Sequence, residues 1–215
     1  MIKKIILFCG LVLMFYSCKE PALTSEELGN FYNGKLLFDQ GQLTESSKIF
    51  KEISAKYPKF YESKVMYAKS LYFSMDYSQV VEFCKKDLKR DPELYELNFW
   101  LGKSYIELEE FYLAEEVFLK MISFNSQDYL AMNQLALINM KKNEIMKSIE
   151  MYKKALLHRN SLGSTALNLS KLYYSQGMMP EVLLTLNTVL ELSEPDSDIS
   201  LAAIEILTKL KENIK

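Results

Sequence analysis

The sequence predicts an all-α fold: a helical solenoid of about five helix-turn-helix repeats, closed by a C-terminal capping helix. Three observations predict it. Pro58 and Pro92 stand 34 residues apart, and Phe50 and Cys84 precede them by eight residues each. Small residues recur at the same interval, at Gly34, Ala68, Gly102 and Ala136. Glycine and proline are few, at 7 and 5 in 215 residues, and no run alternates apolar and polar as a half-buried strand would. A single globular core has no reason to repeat itself at a fixed interval. Stacked units do, because each buries the same face against its neighbour.

The first element lies outside that repeat. Met1-Ile2-Lys3-Lys4 is a short basic stretch, and Ile5 to Tyr16 form an apolar run of twelve residues. That run is too short for a stable membrane-spanning helix and suits an export signal. It leads to Ser17-Cys18 and then turns polar at Lys19-Glu20-Pro21. This arrangement resembles a bacterial lipoprotein signal, with Phe15 where leucine is usual. The resemblance implies that residues 1–17 are removed and that the sulfur of Cys18 receives acyl chains such as palmitate. Residues 18–26 would then form the lipidated cysteine and a tether. The implied address is that of an exported lipoprotein on the periplasmic face of either membrane, or on the cell surface.

The repeat units run over 27–60, 61–94, 95–128, 129–162 and 163–196. Each holds two amphipathic stretches, with apolar residues at the i, i+3/i+4, i+7 spacing of a helix face. Turn signals part the two stretches at Gln40-Gly41-Gln42, Met75-Asp76, Glu109-Glu110, Lys142-Asn143 and Gln176-Gly177. Pro58 and Pro92 end second helices, because proline cannot donate to the preceding turn. Pro180 falls in the first turn of the last second helix, where a missing N–H costs little. Residues 197–215 read as one more helix, capped by Ser197 or Asp198. Ile199, Ala203, Ile206, Leu207 and Leu210 make its apolar stripe, a lid for the open end of the stack.

The third unit carries Leu101-Gly102-x2-Tyr105 followed by Ala114-x3-Phe118. This spacing resembles the signature of the tetratricopeptide repeat (TPR) family. There are departures from it: Asn98 stands at the tryptophan position, with Trp100 displaced, and Ser126 and Asn160 replace proline. Asp87 occupies a position that is usually alanine and buried, which requires a partner there or a local shift. The resemblance implies that the first helix of each unit lines a concave groove. By register that groove includes Lys35 and Phe38, then Lys69, Tyr72 and Phe73, then Phe99 and Lys103, then Leu137, then Lys171 and Tyr174. Lysine holds four of the five equivalent places, Lys35, Lys69, Lys103 and Lys171. Cationic rungs between apolar walls suit an acidic or carboxylate-bearing peptide.

Several function classes are excluded or disfavoured. His158 is the only histidine, so paired-histidine metal sites are excluded, and a histidine-based triad is disfavoured because His158 falls near the end of a second helix, where a cation suits the helix C-terminus. The seven glycines are scattered singly and form no phosphate loop. Glu109-Glu110 and Glu115-Glu116 fall at a turn and on an outer face, where solvated carboxylates are expected. No catalytic residue, metal or cofactor is expected, and no length remains for an enzyme domain. The formal charge of −2 becomes −4 once Lys3 and Lys4 leave with the signal. A mildly acidic exported chain is a poor ligand for nucleic acid. Cys9 leaves too and Cys18 is acylated, so Cys84 remains alone, as a small core residue. The expected function is a membrane-anchored, non-enzymatic scaffold that binds another cell-envelope protein or peptide. The alternative is a subunit of an envelope assembly machine, of the β-barrel assembly BamD type or the pilus-assembly PilF/PilW type. Residues 47–58 resemble the former, although its repeats are longer and less regular than these.

Overall fold

The structure is a computed structural model that describes residues 23–157 and 162–213. The export signal and Cys18 lie outside the described residues, as do His158 and Asn160. Among the described residues there are eleven α-helices and no strand. Five are first helices of a unit: α1 (Ser25–Asp39), α3 (Tyr61–Phe73), α5 (Tyr95–Glu107), α7 (Tyr129–Lys141) and α9 (Leu162–Ser175). Five are second helices: α2 (Leu43–Lys56), α4 (Tyr77–Leu88), α6 (Phe111–Phe124), α8 (Ile145–Leu156) and α10 (Met179–Leu192). The last, α11 (Asp198–Asn213), closes the stack. The helical run opens at Ser25, inside the stretch that the sequence assigns to the tether.

The five turns within units are one motif repeated. Gly41, Met75, Glu109, Asn143 and Gly177, at successive intervals of 34 residues, all have φ between 60° and 76°. The residue after each donates its N–H five residues back: Gln42 to Leu37, Asp76 to Leu71, Glu110 to Tyr105, Glu144 to Asn139 and Met178 to Tyr173. This left-handed C-terminal cap satisfies carbonyls that the helix end leaves open. The same turn therefore reverses the chain between the two helices of every unit.

Packing explains the rest of the period. Ser46, Val80, Ala114, Ser148 and Val182 are all fully buried, where the second helix meets the first. The buried hydroxyls are satisfied: Ser46 bonds Ser70 at 2.9 Å, and Ser148 donates to the Ala136 carbonyl at 2.7 Å. Phe50, Cys84, Phe118, Tyr152 and Leu186, four residues on, are also buried. Opposite them stand Gly34, Ala68, Gly102 and Ala136. A Cβ on Gly102 would come within 2.6 Å of the Phe118 ring, so this aromatic is admitted only by a bare backbone.

From α3 onward first helices are buried around much of their circumference, and second helices on one side. In α3 eight residues are buried, from Ser63 to Tyr72, against Val80 and Cys84 alone in α4. Each first helix packs on its own second helix and on that of the preceding unit. First helices of consecutive units also touch, α1 with α3, α3 with α5 and α5 with α7, and no two second helices approach as closely. The stack therefore curves with first helices inside and second helices splayed outside.

Two local features complete the frame. Thr24 caps α1, accepting from the Glu27 N–H at 3.2 Å, while Glu27 accepts from the Thr24 N–H at 3.0 Å. Glu27 also takes bonds from Lys56 and Tyr57, tying the start of α1 to the end of α2. At the far end Ser197 caps α11, accepting from the Ser200 N–H at 3.3 Å. Ile199 of α11 sits over Gly163 so closely that a Cβ there would lie 2.4 Å from it.

Candidate functional site

The inner surface carries its most distinctive chemistry where units one to three meet. Phe38, near the end of α1, stacks edge-on against Phe73 of α3, with ring centres 5.6 Å apart. Phe73 meets Trp100 of α5 at 5.9 Å, and Trp100 meets Tyr72 at 5.1 Å and Phe99 at 5.8 Å. Five aromatic rings from three helices thus form one continuous strip. Phe73 remains 50% exposed, so the strip presents an open apolar surface. Aromatic pairs in these geometries add about 0.5–1.5 kcal/mol each beyond their burial, which holds the strip in a fixed shape.

The lysines are set into this strip. The Lys69 ammonium lies 5.4 Å from the Phe38 ring and 6.0 Å from Trp100. Lys103 lies 4.5 Å from Tyr72, 4.9 Å from Trp100 and 5.9 Å from Phe99. Burial among these rings pulls the Lys103 pKa down, and the Glu107 carboxylate opposes that shift. Glu107 also accepts from the Tyr72 hydroxyl at 3.0 Å. Burial and this carboxylate together raise the Tyr72 pKa. Lys35 differs: it pairs with Glu62 at 3.3 Å and stands 5.8 Å from the Phe31 ring.

Lys171 stands apart, two units further along. It borders a cavity of about 260 Å³ between α7 and α9, with Asn133, Gln134, Leu137, Asn168 and Ser175. Its charge lowers the Glu205 pKa, a lesser cause there than the Lys209 hydrogen bond, so α11 lies within its field. Tyr174 is 46% exposed. The structure thus gathers Phe38, Lys69, Tyr72, Phe73, Phe99 and Lys103 into one patch, puts Lys35 at its edge and places Lys171 elsewhere.

Trp100 is the residue that sequence reasoning missed. It touches three of the strip's rings and two of its lysines. As the only tryptophan it was conspicuous, but the signature's register pointed to Asn98. That residue is buried, and its amide donates to the Pro92 and Leu94 carbonyls. Among the described residues no group of three or more acidic, histidine or cysteine side chains could hold a metal ion. No described helix is long and apolar enough to cross a membrane.

No protein-family model matches the chain, and no curated protein matches it. Solved structures do. TTC0263, a thermophilic TPR protein of Thermus thermophilus, superposes with a TM-score of 0.70 at 19% identity, over 85% of this chain and 99% of that one. The fold is the TPR solenoid. MamA from Desulfovibrio magneticus RS-1 gives a TM-score of 0.62 at 19% identity, over 80% and 97% of the two chains. YrrB, described as a TPR protein with an unusual peptide-binding site, gives 0.55 at 15% identity, over 84% and 94%.

Proposed function

We propose that this TPR chain is a non-enzymatic scaffold that holds a segment of another cell-envelope protein in its inner groove. The carrying observation is the strip of Phe38, Phe73, Tyr72, Trp100 and Phe99 with Lys69 and Lys103 laid across it. Half-exposed aromatics held rigid are the usual anchors of a protein interface, and neighbouring cations add selectivity for carboxylates. The peptide-binding site of the similar YrrB supports a peptide ligand. A photo-crosslinking residue at Phe73 should capture a partner in intact cells, and the same residue at the outer Tyr112 should not. Capture from Tyr112 alone would reject the groove. A captured β-barrel assembly subunit or pilus secretin would identify the chain as part of an envelope assembly machine.

Charge and anchoring give two further expectations. Changing Lys35, Lys69 and Lys171 to Glu, with Lys103→Met to keep its packed stem, should abolish capture of an acidic partner while the melting midpoint stays near wild type. A lysine that keeps access to solvent contributes about 1 kcal/mol or less alone, so the effect must be read from the four together. The reading also places the chain on a membrane through acylated Cys18. Cys18→Ala should release it from membranes or block its processing, as fractionation would show. A variant that is processed normally and stays membrane-bound would reject acylation.

A further inference from the structure

The splayed outer face holds a cleft unlike its counterparts in the other units. It has a volume of about 450 Å³ and lies between α2 and α4, with α3 as its floor. Lys51 stands on one wall, and Lys86 and Arg90 on the other. None of these three has an ion-pair partner among the described residues. Two carboxylates of α4 also line it, Glu82 and Asp87.

The floor is polar although it is buried. Lys64, 7% exposed, is paired with Asp87. The equivalent positions in the next unit are Asn98 and Met121, and in the one after it Met132 and Ala155, so the buried pair belongs to this unit alone. A buried ion pair is seldom worth its desolvation as a structural element. An ammonium has three donors, and Asp87 takes one of them. Beside it Tyr67 is 6% exposed and lines the same cleft. Its ring packs on Phe83, and its hydroxyl makes no hydrogen bond among the described residues. Desolvation of the Tyr67 side chain, with Asp76 and Glu82 nearby, raises its pKa, so the hydroxyl stays a donor. The surroundings share the sign: residues 43–91 carry ten Lys and Arg against seven Asp and Glu, whereas residues 92–215 carry twelve against seventeen.

We propose that this cleft is a phosphate-binding site on the outer face. Lys51, Lys86 and Arg90 would meet the phosphate oxygens from both walls, and Tyr67 and Lys64 would donate from below. Three mouth cations and two floor donors exceed what the two oxygens of a carboxylate can accept and suit a phosphate group. The phosphate could come from a soluble monoester or from a lipid headgroup, and the test separates the two.

The full chain in detergent is titrated with glycerol 3-phosphate at fixed low salt, and backbone amide resonances are followed. Saturable shifts are expected at residues of the cleft. Lys86→Ala and Arg90→Ala, both exposed and without structural contacts, should each weaken binding about tenfold. Lys48→Ala and Lys85→Ala, of equal charge outside the cleft, should leave it unchanged. The source is then read with the chain in phosphatidylcholine vesicles with and without phosphatidylglycerol. Weaker glycerol 3-phosphate binding in the anionic vesicles assigns the site to a lipid headgroup, and unchanged binding assigns it to a soluble phosphate. Shifts that do not saturate, or that fall equally in all four variants, would overturn the site.

Discussion

Met75 and Glu109 hold a backbone conformation that glycine holds at 41 and 177. A left-handed residue with a side chain costs about 1–2 kcal/mol relative to the right-handed form, and glycine escapes most of that cost. Met75→Gly and Glu109→Gly should therefore each stabilise the chain by about 1 kcal/mol in chemical denaturation. Asn143→Gly should gain less, because asparagine tolerates this region. Unchanged or lower stability for Met75→Gly would mean that the turn is held by contacts of the methionine itself. These turns were legible in the sequence, since a fixed interval and polar breaks mark them even where glycine is missing. The need for a partner at Asp87 was legible too, but not that Lys64 supplies it. The two are 23 residues apart, and periodicity says nothing about which side chains meet across helices. The lysines share one register, yet three of them have different neighbours. Spacing gives the face a residue occupies, and ring contacts decide what its charge can do there.

At the scale of one element, α1 depends on a single carboxylate. Glu27 completes the cap of α1 and binds Lys56 and Tyr57 at the end of α2. The Lys56 hydrogen bond first, then Tyr57 and the Thr24 backbone, hold its pKa at about 2, below the ordinary 4.5. A folded pKa below the unfolded one means that the contribution is complete above pH 4.5 and fades as the pH falls toward about 2. Glu27→Gln should lower the melting midpoint at pH 7 and flatten its decline over that acid window. Equal acid slopes in variant and wild type would show that α1 is fastened elsewhere. The apolar stripe of α11 was likewise visible in the sequence. Its seat on Gly163 was not, because a glycine required by a close approach reads like any other glycine.

Across the whole molecule the buried side chains fall into two clusters. One runs from Phe31 to Ile138, and the other from Ala136 to Leu210. Both reach α7, so the boundary falls within one helix. In a stack where each unit touches mainly its neighbours, stability is a sum of local terms. Leu186 is fully buried in the second cluster, and its truncation should cost about 2–5 kcal/mol. Leu186→Ala should therefore speed hydrogen exchange in α9, α10 and α11 while amides of α2 to α5 keep their protection. Equal loss of protection everywhere would show that the stack unfolds as one body.

The recurring left-handed turn also makes the unit an interchangeable cassette. Met75 and Glu109 hold the same backbone geometry, with φ of 61° and 60°. Asn143 and Gly177 share that turn, with φ of 61° and 72°, so joining residue 143 directly to residue 178 would shorten the chain by one period. Adding a second copy of 76–109 would lengthen it by one. The length of the inner surface, and with it the length of the segment that can lie along it, is thus adjustable by gene duplication, provided that each first helix offers a residue small enough for the second helix it newly meets, as Gly102 does for Phe118. The aromatic strip draws on three consecutive units, so it fixes the minimum that such editing must leave intact.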